Sequence, residues 1–127
     1  MKTSEQVFNY LKEQGLVPKY TDNGNIEFKY QMRSFIFFTN DDDAQFFQLT
    51  MPSIFTVTDD NRMAALEAMN QINDNTKVIK LTVTKNNNVW ESTEIMLDST
   101  PELDDIFPRL LNILLNTRQK FYDIMES

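Results

Sequence analysis

The chain contains no cysteine and no histidine. Without a thiolate or an imidazole it has no Cys or His nucleophile, no triad built on either, and almost none of the side chains that hold zinc or haem. A chain free of cysteine also fits a reducing compartment. Only two glycines occur, Gly15 and Gly24, so the glycine-rich phosphate loops and the G-x-S-x-G elbow are absent. Long apolar runs are missing too. No window approaches the roughly 18 consecutive apolar residues of a membrane-spanning helix. The opening "MKTSEQVFNYLKEQ" is amphipathic rather than basic and then continuously apolar, and it is not read as a secretory signal. Positive charge is scarce: 12 Lys and Arg face 19 Asp and Glu, for a net charge of −7. That balance opposes phosphate backbones and anionic lipid. Lys77, Lys80 and Lys85 share one hairpin arm with no aromatic interleaving beyond Trp90, which predicts a solvated edge rather than a nucleic-acid surface. The expectation is a soluble cytoplasmic protein with no membrane or nucleic-acid partner.

What is present is a clear succession of elements. The 127 residues are expected to form one domain, residues 1–127, large enough to bury a core without disulfide or metal. Thr3 with Gln6 has the spacing of a capping box, Val7, Phe8 and Leu11 recur at helical spacing, and Gly15 supplies a left-handed stop; a helix is predicted over about 4–14. "VPKYT" then precedes the turn Asp22-Asn23-Gly24. Ile26, Phe28, Tyr30 and Met32 alternate with polar residues as in a half-buried strand. Further strands are predicted over 34–40 and about 45–51, the latter ending or meeting a sheet edge at Pro52, which cannot donate to a ladder.

A second helix is expected to open at Thr58-Asp59-Asp60, with Ala65, Leu66, Met69 and Ile72 as its apolar stripe. "KVIKLTVTK" follows as a strand with Ile79, Leu81 and Val83 on one face. Asn86-Asn87-Asn88 turns the chain into a sixth strand, "VWESTEIMLD". Thr100-Pro101-Glu102 opens the last helix, whose stripe runs from Leu103 through Phe107, Leu110, Leu114 and Phe121 to Met125. Pro108 should kink or break it, because it removes the bond to the carbonyl of Asp104. The order α-β-β-β-β-α-β-β-α, with short turns between strands, predicts an α+β two-layer fold with an antiparallel sheet.

The segment that most resembles chemistry is "NDDDAQ". Calcium loops alternate their oxygen ligands, bend at a glycine and close with a bidentate glutamate. Here Asp41, Asp42 and Asp43 are contiguous, Ala44 and Gln45 follow, and no closing glutamate exists. A polar hairpin tip between aromatic strands is the better reading. "TDNGNIEF" fails the same test. Glu91 and Glu94 stand three apart on a strand and so point to opposite faces; they are expected as exposed strand charges, not as a converging acid–base pair. No catalytic, metal or cofactor residue emerges.

The anomaly is apolar excess. Phe35, Ile36, Phe37 and Phe38 give large side chains to both faces of one strand, and Phe46, Phe47, Leu49 and Met51 nearly repeat this on the next. A sheet covered on one side should alternate apolar with polar. Either helices cover parts of both faces or a partner covers the second, since exposed patches of this kind mark interaction sites.

The helix "AALEAMNQINDN" with its spaced Asn70 and Asn73, the hairpin "KVIKLTVTKNNNVWESTEIML" and the long "PELDDIFPRLLNILLNTRQKFYDIM" together resemble the YbjN-type proteins. The whole element order is similar to the secretion-chaperone-like fold, which includes type III secretion chaperones. The resemblance implies a small, acidic, cytosolic and often dimeric protein that binds other polypeptides and is not an enzyme. It carries no motif residues across. The reading is therefore a non-enzymatic protein-binding module, chaperone-like or regulatory, with a polypeptide partner, a homodimeric state and no cofactor. Phe47 and Trp90 are the candidate partner contacts. The alternative is a small-ligand binder with an apolar pocket between helices and sheet, for which the many Phe and Met residues are suited.

Overall fold

The structure, a computed structural model, describes residues 2–39, 42, 43, 45–97 and 102–127. Helix α1 spans Thr3–Glu13, strands β1 to β4 are Lys19–Tyr20, Ile26–Tyr30, Arg33–Phe38 and Phe46–Thr56, and α2 is Arg62–Asn75. Strands β5 (Ile79–Val83) and β6 (Asn88–Met96) and helix α3 (Leu103–Glu126) complete the chain. The strands form one antiparallel sheet in the order β1-β2-β3-β4-β6-β5. This is the expected α+β fold. α2 carries the chain from β4 past the position of β6 to the outer strand β5, and β6 then returns to pair with both.

Gly15 ends α1 as its sequence position suggests. With φ at 83°, its N–H donates to the Lys12 carbonyl, and the N–H of Leu16 donates to the Leu11 carbonyl. Those two bonds are a Schellman closure, which only a left-handed residue completes without strain. The start of α1 differs from expectation: Lys2, not Thr3, holds the capping position, with no side-chain capping bond. α2 begins at Arg62, later than expected. Thr58 and Asn61 exchange reciprocal bonds before it, Thr58 N–H to Asn61 Oδ1 at 2.7 Å and Asn61 N–H to Thr58 Oγ1 at 3.4 Å, the logic of a capping box in a turn. Leu66, expected in the stripe, is 42% exposed, and Ala68 takes its place.

Both prolines expected to end an element are accommodated. β4 continues through Pro52 as a central strand. Its pairing with β3 stops at Thr50 and its register against β6 shifts between Met51 and Phe55. Pro52 thus stands where neither ladder asks for its missing N–H, and Ser53, at φ 50°, absorbs the bulge. α3 runs unbroken past Pro108. Asp104 and Pro108 are both exposed, so the carbonyl that proline leaves unbonded faces water. Thr100 and Pro101, expected to open this helix, lie outside the described residues. One turn went unforeseen: Gln31 and Met32, at φ 51° and 64°, close the β2–β3 hairpin where alternation alone predicted continued strand.

All three helices pack on one face of the sheet. Phe107 of α3 is wholly buried and meets Tyr10 of α1 at 5.3 Å, Phe28 of β2 at 6.0 Å and Phe47 of β4 at 6.0 Å between ring centroids. Further along α3, Phe121 meets Phe55 of β4 at 5.3 Å. The buried residues form one cluster. Removing a ring such as Phe107 from it would cost about 3–5 kcal/mol.

Candidate protein-binding face

Because strand side chains alternate, the residues between the core positions project from the sheet on the side opposite the helices. The pairs Phe46↔Met96, Thr50↔Ser92 and Ile36↔Thr50 lie on that side, as do Phe38 and Trp90. Phe38 and Trp90 come from strands on either side of β4, and their rings meet above it at 6.4 Å. Beneath them the hydroxyls of Thr50 and Ser92 share a 2.8 Å hydrogen bond. These two polar residues are 0% and 8% exposed although no helix lies over them. The face therefore shelters its own polar centre under two aromatic rings. Ile36 and Phe46 are half-buried, and Met96 is 66% exposed.

Next to this patch, a groove of about 550 Å³ runs over β1, β2 and β3, lined by Val17, Lys19, Glu27, Lys29, Ser34, Ile36 and Pro52 and reaching Gly15 and Leu16 past the end of α1 and the core residues Phe28 and Phe35. On the other flank, Lys80 of β5 and Glu94 of β6 form a 2.7 Å ion pair. The helix-free side thus carries an aromatic centre, an apolar groove with two lysines, and a charged rim.

The two candidate contacts are placed on opposite faces. Phe47 is 0% exposed, against Phe37 at 4.7 Å and Phe107; it belongs to the core and offers no surface to a partner. Trp90 is on the helix-free side, half-buried. Register parity explains the difference: Phe47 shares its face with Leu49 and Met51, whereas Trp90 shares its face with Ser92 and Glu94.

Glu91 and Glu94 do point apart, but Glu91 is not an exposed charge. It is 0% exposed, on the helix side between Met51 and Leu81, its register partners. Neither carboxyl oxygen has a hydrogen-bond partner among the described residues. Burial pushes its pKa up to about 9, opposed by the charge of Arg118 on α3. Nothing in the local pattern announced this, because Glu91 occupies an ordinary core-facing register in a strand rich in polar residues.

Asn73 was also missed as a structural residue. Its Oδ1 accepts the Leu81 N–H at 2.8 Å, and its Nδ2 donates to the Leu81 carbonyl at 3.2 Å. One side chain thereby occupies both outward-facing backbone groups of Leu81, as a further strand would. At the acidic tip, Asp41 lies outside the described residues. Asp42 and Asp43 are exposed, and Asp43 Oδ1 accepts from the Gln45 N–H at 3.3 Å, as in a turn. Among the described residues no three carboxylates gather as a metal site. No helix among them is long and apolar enough to cross a membrane.

A six-stranded antiparallel sheet with three helices on one face is a fold shared with other proteins. Residues 3–106 match the YbjN family, described as "Putative bacterial sensory transduction regulator", and the chain belongs to that family. Among solved structures, it is similar to an uncharacterized protein from Methanothermobacter thermautotrophicus, at 15% identity and TM-score 0.64, covering 98% of this chain and 97% of that one. It is also similar to a chain of the heterodimeric complex ExoU–SpcU from the type III secretion system of Pseudomonas aeruginosa. There the identity is 11% and the TM-score 0.65, covering 91% of this chain and 94% of the other. At these identities the two structures establish a shared fold. The sequence matches none of the curated proteins.

Proposed function

We propose that this chain is a non-enzymatic, cytoplasmic protein-binding module, chaperone-like or regulatory, and that its helix-free sheet face receives a polypeptide. The observation that carries this is the placement of Phe38, Trp90, Ile36, Phe46 and Met96 on the side with no helix above it. Family membership and the occurrence of the fold in a heterodimeric complex support the same reading. Burying one such side chain fully is worth about 1.5–3 kcal/mol, so a partner that covers several gains substantially. The first polypeptide to consider is a second copy of this chain, because two-fold pairing of one patch with itself is the commonest form of self-association.

The rival reading, a small apolar ligand held between helices and sheet, finds less support. That space is filled by the packed rings of Phe28, Phe35, Phe47 and Phe107, and the groove, though it touches Phe28 and Phe35, is lined mainly by residues outside it such as Lys19, Glu27, Lys29 and Ile36.

A photo-crosslinking amino acid at position 90 tests the proposal against the same group at Glu67, which is exposed on α2. Polypeptide adducts specific to position 90 are expected in cells. With purified protein at micromolar concentration, light scattering should give twice the chain mass, reverting to the chain mass in Phe38→Ser/Trp90→Gln. A clean monomer would remove the second copy as occupant. Equal adduct patterns at 90 and 67 would defeat the binding face itself.

A further inference from the structure

The buried carboxyl of Glu91 lies outside the proposed binding face and has no role in it. A carboxylate without hydrogen bonds in an apolar core is strongly disfavoured, and such a group either keeps its proton or acquires a partner. Among the described residues its surroundings supply one cation, Arg118. Strand neighbours Met51 and Leu81 are uncharged, Thr93 on the same face gives its hydroxyl to the Leu49 carbonyl at 3.1 Å, and the residues α2 buries are Ala65, Ala68, Met69 and Ile72. The residues α1 buries, Ser4, Val7 and Leu11, are uncharged too. From α3, Thr117 is buried and uncharged, and Arg118 is the charged group that acts on Glu91.

Arg118, however, is engaged elsewhere. Its guanidinium sits over the ring of Tyr122, 4.5 Å from the centroid. The Tyr122 hydroxyl in turn donates to the carbonyl of Ile54, beside Ser53 in the β4 bulge. The far half of α3 is thus tied to the bulge through Tyr122, and Arg118 rests on the residue that makes the tie. Arg118 is only half-buried, so its cation–π contact is a weak tie, and a charge-assisted, hydrogen-bonded pair with the buried carboxylate is of comparable or larger strength. The two arrangements are close enough in energy for one proton to choose between them.

We propose that Glu91 and Arg118 form a latent ion pair that acts as a proton-controlled latch on α3. With Glu91 protonated, Arg118 lies on Tyr122 and the helix is fastened to the β4 bulge. When Glu91 releases its proton to solvent, Arg118 leaves the Tyr122 ring and turns inward to the carboxylate, and the Tyr122–Ile54 tie loosens.

Carbon-13 NMR of the glutamate carboxyls across a pH titration reads the first half of this. One resonance, lost in Glu91→Gln, is expected to titrate far above the others, and Arg118→Gln should move its midpoint higher still. Amide hydrogen exchange, corrected for its intrinsic pH dependence, reads the second half. Exchange at residues 118–124 should quicken in step with that midpoint in the wild type and lose this pH dependence in Glu91→Gln. A Glu91 resonance that titrates with the surface glutamates would overturn the proposal, as would a high midpoint with no matching change in exchange. Both readouts exist in the unmodified protein, and Arg118→Gln tests the latch if Glu91→Gln does not fold.

Discussion

Replacing Asn73 by alanine isolates a side-chain clamp on the outer edge of β5. The side chain makes two hydrogen bonds to Leu81, at 2.8 Å and 3.2 Å. A neutral hydrogen bond contributes about 0.5–1.5 kcal/mol net, and a buried group left unpaired costs more. Leu81 is buried but Asn73 itself is exposed, so water can reach part of the vacated site, and the expected loss is about 1–2 kcal/mol. For a chain of this size that corresponds to a fall in melting temperature of roughly 4–8 °C. Asn73→Asp keeps the acceptor for the Leu81 N–H but sets an oxygen against the Leu81 carbonyl, so its loss should equal or exceed that of alanine. Urea unfolding with an unchanged slope is the appropriate measurement, because the effect is on the folded state rather than on exposed area. Asn73→Ala also frees an edge N–H and C=O, a template for pairing with other chains, and refolding at high concentration should scatter more light. A loss below about 0.5 kcal/mol for both variants would mean that the amide does not act as a clamp.

Two further outcomes follow from the charged residues. Asparagine at positions 41, 42 and 43 together should leave the melting temperature unchanged, and micromolar calcium should not raise it; a rise of several degrees in the wild type would restore a metal site, since a ligand of the folded state must stabilise it. For Glu91, the folded pKa is raised from an ordinary 4.5 to about 9. Its stabilising proton is therefore fully present below the ordinary value, and stability falls as pH rises through that window, by at most about 1.4 kcal/mol per unit. Urea unfolding at about pH 5 and about pH 8.5 should show this decline in the wild type and a flatter profile in Glu91→Gln; parallel profiles would refute it.

Element order and sheet class were readable because periodicity, turn residues and helix stops agreed with one another. The Gly15 stop and the Asp22–Gly24 turn are cases where backbone conformation admits few residue types. The β2–β3 turn was not readable, because Gln31 and Met32 have no preference for positive φ and are held there by the pairing of Tyr30 with Arg33 on either side. Pro52 and Pro108 misled for the opposite reason. Each carries a strong local signal, and each was overridden by long-range context, a bulge in one case and an exposed carbonyl in the other. The candidate site shows the same division. That strands β3 and β4 are apolar on both faces was plain, but which face the helices would choose depended on register across the whole sheet. Phe47 and Trp90 were indistinguishable from sequence and lie on opposite sides. Glu91 was hidden because a buried acid leaves no trace in alternation.

The state of the helix-free face bears on the kind of binding it supports. Were Phe38 and Trp90 fully exposed, the lone chain would carry a large liability and an obligate partner would follow. Instead their rings lean together over the Thr50–Ser92 hydrogen bond, which removes part of their surface from water and keeps that polar pair out of it. Part of the gain available to a partner has therefore already been taken within the chain. What remains, the outer surfaces of the two rings with Met96, Phe46 and the groove beside Ile36, is an aromatic anchor set among polar and charged neighbours such as Lys80 and Glu94. Interfaces between partners that also exist apart are, taken whole, about as apolar as ordinary protein surface, with the apolar part at the centre and a polar rim. On the proposed function, the face is accordingly suited to a polypeptide that comes and goes, and a second copy of the chain would then be one competitor for it rather than a permanent cover.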